Sequence, residues 1–283
     1  VIDLHVHTTH SDGRLAPAEA VRESVASGLS AVAITDHDVV TSLPEAVAAA
    51  DGLGIEVVAG IEMTANWSGR RAVHVLGYFI DPHAPRLTAA LHEARRLMAA
   101  HVDRVLDEVR AVGGSLDHAD LARYRHRYAG GAALVLGMLE RGVLRQAAPG
   151  TGMRLLKLAA AEPRAYSVSD AVALIHAAGG VASLAHPAKL RRGTPLLSAD
   201  ELRPLVEAAG FDALEAWQWV PHGWGSDHYQ AVAAELGVLV SGGSDDHGKR
   251  GPQGELRLGR QPIPPSVLEA LRERARSRRS TVR

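Results

Sequence analysis

VIDLHVHTTHSDG, residues 1–13, runs from a stretch of β-formers into histidines and a turn. Val1 to Val6 read as a buried first strand. Side chains alternate along a strand, so Asp3, His5 and His7 are expected on one face and Ile2, Leu4 and Val6 on the other. Two imidazoles two residues apart at a strand's end can grip one metal ion from the same side. The Asp12-Gly13 turn offers a carboxylate close by. An HxH pair also occurs as plain polar surface, so the rest of the chain decides between the two readings.

With 283 residues and 46% hydrophobic content, the chain can bury one large domain or a domain with an insertion. Lys+Arg 31 against Asp+Glu 32, a net charge of -1, gives no global basic field for nucleic acid or membrane, and no sign of DNA binding. Cysteine is absent, which excludes disulfides, thiolate nucleophiles and Cys-type zinc sites. Any metal must therefore sit on nitrogen and oxygen. No signal peptide is visible and no apolar run approaches the ~20 residues that span a bilayer, so the cytoplasm is the expected location. Aromatic residues are only 4%, so stacking platforms for single strands are scarce.

Working outward, short apolar runs alternate with helical stretches, the pattern of parallel β/α architecture. Helices are expected at PAEAVRESVASG (17–28) and LPEAVAAADGLG (43–54), with strands at SAVAITDHD (30–38), IEVVAGIEM (55–63) and RAVHVLGYFI (71–80). From Asp81 to about Pro163 the pattern is mostly helical, with no convincing strand. Alternation then resumes with VSDAVALIHAAGG, VASLAHP, ADELRPLVEAAG, FDALEAWQW, SDHYQAVAAELG, VLVSGGSDDHG and PSVLEALRERARS. The expected fold is α/β, a β/α barrel in two parts, 1–81 and 166–283, interrupted by a helical insertion at 82–165.

Metal-type donors recur at the expected strand ends: His5, His7 and Asp12, then His37, Glu62, His74, His186, Asp245 and His247. In β/α barrels that rim collects catalytic residues. Imidazole suits Zn, Mn and Fe, and carboxylates can bridge two ions. These donors exceed the needs of one ion, so two or three are implied, and clustered divalent ions point to metal-assisted hydrolysis. The alternative is a set of unrelated polar residues.

DLHVHTTHSDG, AITDHD, GIEM, VHVLGY, LAHP and GGSDDHG closely resemble the motifs of the PHP (polymerase and histidinol phosphatase) family. The resemblance is strongest to its branch of small metal-dependent phosphoesterases, which includes 3′,5′-nucleoside bisphosphate phosphatases and a 5′→3′ exoribonuclease. It implies a distorted (β/α)7 barrel with an all-helical insertion and a centre of two or three divalent ions, Mn first, with Zn or Fe as alternatives. All nine positions of the family's metal pattern are filled. One departure stands out. In that branch an Arg-Pro-His run in the insertion reaches toward substrate phosphate, whereas here Gly131, Ala132 and Ala133 occupy the place.

Other groups then become candidates for the phosphate: Lys189 first, with Arg191 and Arg192 after it, Arg14 beside the Asp12-Gly13 turn, and Arg250. Arg127 or His126 in RYRHRY could replace the missing clamp. The run Trp217, Trp219, Pro221, His222, Trp224 could stack a base, and His222 or His228 could protonate a leaving group. His10, Asp36 and Asp38 sit beside ligands and could orient them. The remaining histidines and the arginine-rich tail read as packed or solvated. Glu62, Asp245 and His186 are the candidate catalytic ligands, with Glu62 bridging two ions. The expected activity is hydrolysis of phosphate esters of nucleotides, either 3′,5′-bisphosphates or short RNA ends, by water activated at the metals. The alternatives are a phosphatase of a sugar phosphate or histidinol phosphate, and a non-catalytic PHP binding module.

Overall fold

The computed structural model describes residues 1–67, 71–122, 130–191, 196–218 and 226–281. Arg127, His126, Arg192, Trp219, Pro221, His222 and Trp224 lie outside them. The first part of the chain alternates β1 (Ile2–Val6), α1 (Pro17–Ala26), β2 (Ala31–Ile34), α2 (Leu43–Ala50), β3 (Glu56–Trp67) and β4 (Arg71–Tyr78). Helices follow: α3 (Pro85–Ala111), α4 (His118–Ala122), α5 (Gly131–Glu140), α6 (Val143–Gln146) and α7 (Thr151–Ala160). The last part runs α8 (Val168–Ala177), β5 (Val181–Leu184), α9 (Ala199–Ala209), β6 (Ala213–Trp217), α10 (Ser226–Leu236), β7 (Leu239–Gly242) and α11 (Pro265–Thr281).

The seven strands form one curled sheet in sequence order, β1 to β7. A parallel bridge from Val6 to Asp246 and the bond His7 N–H to Asp246 O (2.9 Å) bring its two ends together at the site. Ile2, Leu4, Ala31, Ala33, Val58, Leu76, Tyr78, Val181 and Ala213 form a single buried cluster drawn from six strands. Only the interior of a curled sheet lets non-adjacent strands share contacts in this way. The same cluster continues onto Val267, Leu268 and Leu271 of α11.

Two expectations are corrected. The sheet is mixed, because β4 pairs antiparallel with both β3 and β5. Only residues 68–70 separate β3 from β4, too few for a parallel crossover. The one-face pattern of β1 also fails. Its register against β2 slips between Asp3 and Val6, a bulge that shifts the side-chain phase by one residue. Ile2 and Leu4 therefore pack in the interior, while Val6 packs with Val21, Val32, Ile34 and Leu43 under α1 and α2. The Asp3 carboxylate does not join the imidazoles of His5 and His7, although it accepts the backbone N–H of His5 at 3.3 Å. Its carboxylate accepts from the N–H groups of Ser244 (2.9 Å) and Gly259 (3.2 Å), and burial pushes its pKa up to about 6.

The helical insertion has a core of its own, with Val102, Val105, Leu106, Val109, Leu134, Met138 and Leu155 all buried. The 27-residue α3 serves both parts: Leu87, Leu91 and Ala94 in its first half join the core around β3, β4 and α8. Gly131 opens α5 with its N–H on the Glu162 carboxylate, and a Cβ there would lie 2.4 Å from the Ala159 carbonyl oxygen. Ala133 is buried in the insertion core. Position 131 thus packs against α7 too closely to carry an arginine.

Candidate metal centre

The described donors converge at one rim of the sheet. β1 and the turn after it supply His5, His7 and Asp12, and the segment after β2 supplies His37. Glu62 is not at the end of its strand. It stands inside the long β3, just where pairing with β2 gives way to the hairpin with β4: the last regular pair with β2 is Ile34–Ala59, followed by an isolated His37–Glu62 bridge. His74 is likewise within β4, and points to the same rim because β4 runs the other way. His186 follows β5, and Asp245 and His247 follow β7. His186 and Asp245 both take positive φ, 25° and 52°, in the left-handed region that strains a residue with a side chain.

Three groups of donors adjoin one another, two of them through Glu62 and the other through His7 and His37. His5, His7, Glu62 and Asp245 form one, His7, Asp12, His37 and His247 a second, and His37, Glu62 and His74 a third. Glu62 Oε2 lies 3.1 Å from His5 Nε2, 3.1 Å from His7 Nε2 and 3.3 Å from His37 Nδ1. Its other oxygen lies 2.9 Å from His74 Nδ1 and 3.0 Å from His186 Nε2. Asp12 lies 3.2 Å from His247 Nε2 and 3.6 Å from His7 Nδ1.

Divalent ions fit this arrangement. Glu62 Oε2 and His37 Nδ1 are buried with no hydrogen-bond partner, and His5 and His7 present ring nitrogens to each other 3.1 Å apart. Unpartnered buried acceptors cost free energy unless something electropositive lies among them. The mix of imidazole and carboxylate is the donor chemistry of Zn, Mn or Fe. Electrostatics agree. Burial disfavours the charge on Glu62, but His37, His5 and His74 overcome it and hold the carboxyl well below its ordinary range. Asp245 and Asp12 are held low by their histidines in the same way, against burial. Burial lowers His7, yet the close approach of the Asp245 and Glu62 carboxylates and the charge of Asp12 raise it to about 10. Burial dominates at His37 and pushes it down to about 4.

The phosphate candidates separate. Lys189, in the short 3-10 turn after His186, places Nζ against Asp245 Oδ2, and its side chain is half-exposed. Arg14 is exposed with its N–H on the His247 carbonyl (3.0 Å), beside the second group of donors. Arg191 is turned onto Glu201 and Arg250 onto Glu23 (2.6 Å), away from the donors. His228 Nε2 is engaged by the Leu197 carbonyl oxygen at 2.8 Å, so a leaving-group role for it is not supported.

Neighbouring residues hold the donors in place. Asp36 accepts from Thr8 N–H (2.7 Å), Thr8 Oγ1 (2.7 Å) and Ser11 Oγ (2.6 Å), which fastens the turn that carries Asp12. Asp38 accepts from Tyr166 and from Thr64 N–H (3.0 Å), tying α8's approach to the strand residue that faces His74. His10 Nδ1 contacts Thr41 Oγ1 at 2.8 Å, within the loops that flank the site. Sequence reading missed Glu215. It is fully buried in β6, 2.8 Å from His5 Nδ1, and accepts the N–H of His186. The available signal was an acid inside the otherwise apolar strand ALEAW.

Comparisons with known proteins bear on this geometry. The chain is 31% identical over 270 residues to a 5′-3′ exoribonuclease of Haemophilus influenzae, covering 91% of this chain and 93% of that one. It is 32% identical over 267 residues to a 3′,5′-nucleoside bisphosphate phosphatase of Chromobacterium violaceum, covering 87% of each. A crystal structure from Bifidobacterium adolescentis, assigned as a metal-dependent phosphoesterase, superposes with a TM-score of 0.74 at 26% identity, over 95% of this chain and 94% of the other. Residues 3–147 match the family described as the PHP domain. With half of its length matched by that domain, and its donors gathered at one rim of a curled seven-stranded sheet, the chain belongs to the PHP family.

Proposed function

We propose that this phosphoesterase hydrolyses phosphate esters of nucleotides, either a 3′,5′-bisphosphate or the end of a short RNA, in the cytoplasm. The observation that carries the reading is the sharing of Glu62: its two oxygens face separate sets of imidazoles, so one carboxylate would serve both sets if ions were held there. His5, His7, Asp12, His37, Glu62, His74, His186, Asp245 and His247 are the proposed ligands, and Mn is the proposed metal, with Zn or Fe as alternatives. When bound, the ions polarise phosphoryl oxygens and make water nucleophilic near neutral pH.

The chain's own residues then bind and orient. Lys189 offers a cation at the edge of the donor cluster, and a phosphoryl oxygen can take the ammonium contact that Asp245 now has. Arg14 supplies a second, exposed cation beside His247. Lys189→Ala is expected to raise KM for a phosphoester about tenfold, the usual effect of one charged hydrogen bond, with a smaller change in kcat. Steady-state kinetics on the variant check this, and an unchanged KM removes Lys189 from the phosphate site.

Phosphate release from 3′-phosphoadenosine 5′-phosphate by Mn-reconstituted protein tests the assignment, with fructose 1,6-bisphosphate and histidinol phosphate alongside. The nucleotide is expected to be cleaved most efficiently. Preference for a small metabolite would overturn the nucleotide reading. It would also tie the close packing of Gly131 on α7 to a different substrate.

A further inference from the structure

Glu215 takes part in none of the three donor groups, yet it touches two of the residues in the cluster. We infer that Glu215 is a positioning residue that aims His5 and His186 together at the two oxygens of Glu62. The inference rests on the reading of this cluster as a metal centre.

The geometry is specific. Glu215 sits on β6 opposite Ser241 of β7 and is completely buried. One of its oxygens lies 2.8 Å from His5 Nδ1, and the other accepts the backbone N–H of His186. With one carboxylate oxygen accepting from His186, the oxygen that faces His5 at 2.8 Å is matched when the imidazole carries its proton on Nδ1. In the neutral His5 that a metal ligand must be, Nε2 then carries the lone pair, the atom 3.1 Å from Glu62 Oε2. The same carboxylate holds the His186 backbone at φ 25°, from which Nε2 reaches Glu62 Oε1 at 3.0 Å. His5 comes from β1 and His186 from the end of β5, far apart in sequence. Glu215 therefore sets the tautomer of one donor and the backbone of another on opposite sides of the shared carboxylate.

Donor and acceptor matching gives a sharp test. Glutamine has the shape of glutamate but a single acceptor oxygen. In Glu215→Gln the amide NH2 must face either His5 Nδ1 or the His186 N–H. The first choice forces the proton of His5 onto Nε2 and removes the lone pair, and the second sets donor against donor. Divalent-metal affinity, measured by equilibrium dialysis with Mn or Zn and metal analysis, is expected to fall about 10- to 100-fold in the folded variant. Glu215→Asp keeps two acceptors at shorter reach and is expected to lose less. In the zinc-loaded natural protein, 15N NMR is expected to show His5 protonated at Nδ1, a readout that needs no variant and no activity.

A purely structural role would lower Tm while leaving the metal affinity of the folded fraction and the His5 tautomer unchanged. That result, or an unprotonated His5 Nδ1 in the zinc-loaded protein, overturns the inference. Natural protein that binds no divalent ion overturns the metal-centre reading beneath it, and the two failures are told apart by that control.

Discussion

Glu62→Gln is expected to reduce phosphoester hydrolysis by about three orders of magnitude or more and to lower the number of ions held per chain. Among the described residues Glu62 is the carboxylate that belongs to two donor groups, one with His5, His7 and Asp245 and one with His37 and His74, and His186 adds a contact on its second oxygen. Glutamine keeps the length but removes the charge and one acceptor, so one set of imidazoles loses its shared partner. Metal-assisted stabilisation of a phosphoryl transition state is worth several kcal/mol, and about 1.4 kcal/mol corresponds to a factor of ten. Kinetics at saturating Mn, with metal analysis of the same sample, check both halves. A variant with full metal content and natural kcat would falsify the assignment of Glu62 as the shared ligand.

The second large effect is on pH. In the metal-free protein His7 holds its proton up to about pH 10, and His5 is also raised well above its ordinary value. Burial opposes both shifts, and the carboxylates of Glu62, Asp245 and their neighbours impose them. A metal ligand must be unprotonated, so an ion entering at pH 7 expels these protons. The sign follows: apparent affinity rises with pH, by about tenfold per unit for each proton released, until the histidines titrate. Asp12, Glu62 and Asp245 are held low and add nothing to this slope. His37, pushed down to about 4, is already neutral and adds nothing either. Calorimetric titration with Mn between pH 6.5 and 8.5, in buffers of different ionisation enthalpy, is expected to show proton release and tighter binding at the higher pH. Affinity independent of pH would mean that the His5–His7 pair does not bind the ion.

Much of the centre is legible in the chain because its donors occupy a local pattern. Apolar runs such as SAVAITDHD and VASLAHP end abruptly in His or Asp, and a strand's period is short enough to read without tertiary information. Where the local pattern misleads, a specific contact is responsible. The alternation through VIDLHV put Asp3 on one face with His5 and His7, but the register shift in β1 leaves its carboxylate on the N–H groups of Ser244 and Gly259. Glu62 read as a strand end because IEVVAGIEM looks complete, whereas pairing with β4 extends β3 to Trp67. The direction of β4 was readable in principle, because even the stretch 64–70 between the two expected strands is too short for a parallel crossover.

By itself, then, the sequence determined the donor inventory, the exclusion of thiolate chemistry, the α/β class with its helical insertion and the family resemblance. These follow from residue type, short periodicity and motif, all local properties. Tertiary structure alone decided that both oxygens of Glu62 face imidazoles, that Lys189 rather than Arg191 or Arg250 turns toward Asp245, and that Glu215 joins His5 to His186. Each of these depends on distances between segments brought together by closure of the sheet. No local pattern encodes such a distance, because it is set by the register and curl of strands that lie far apart along the chain.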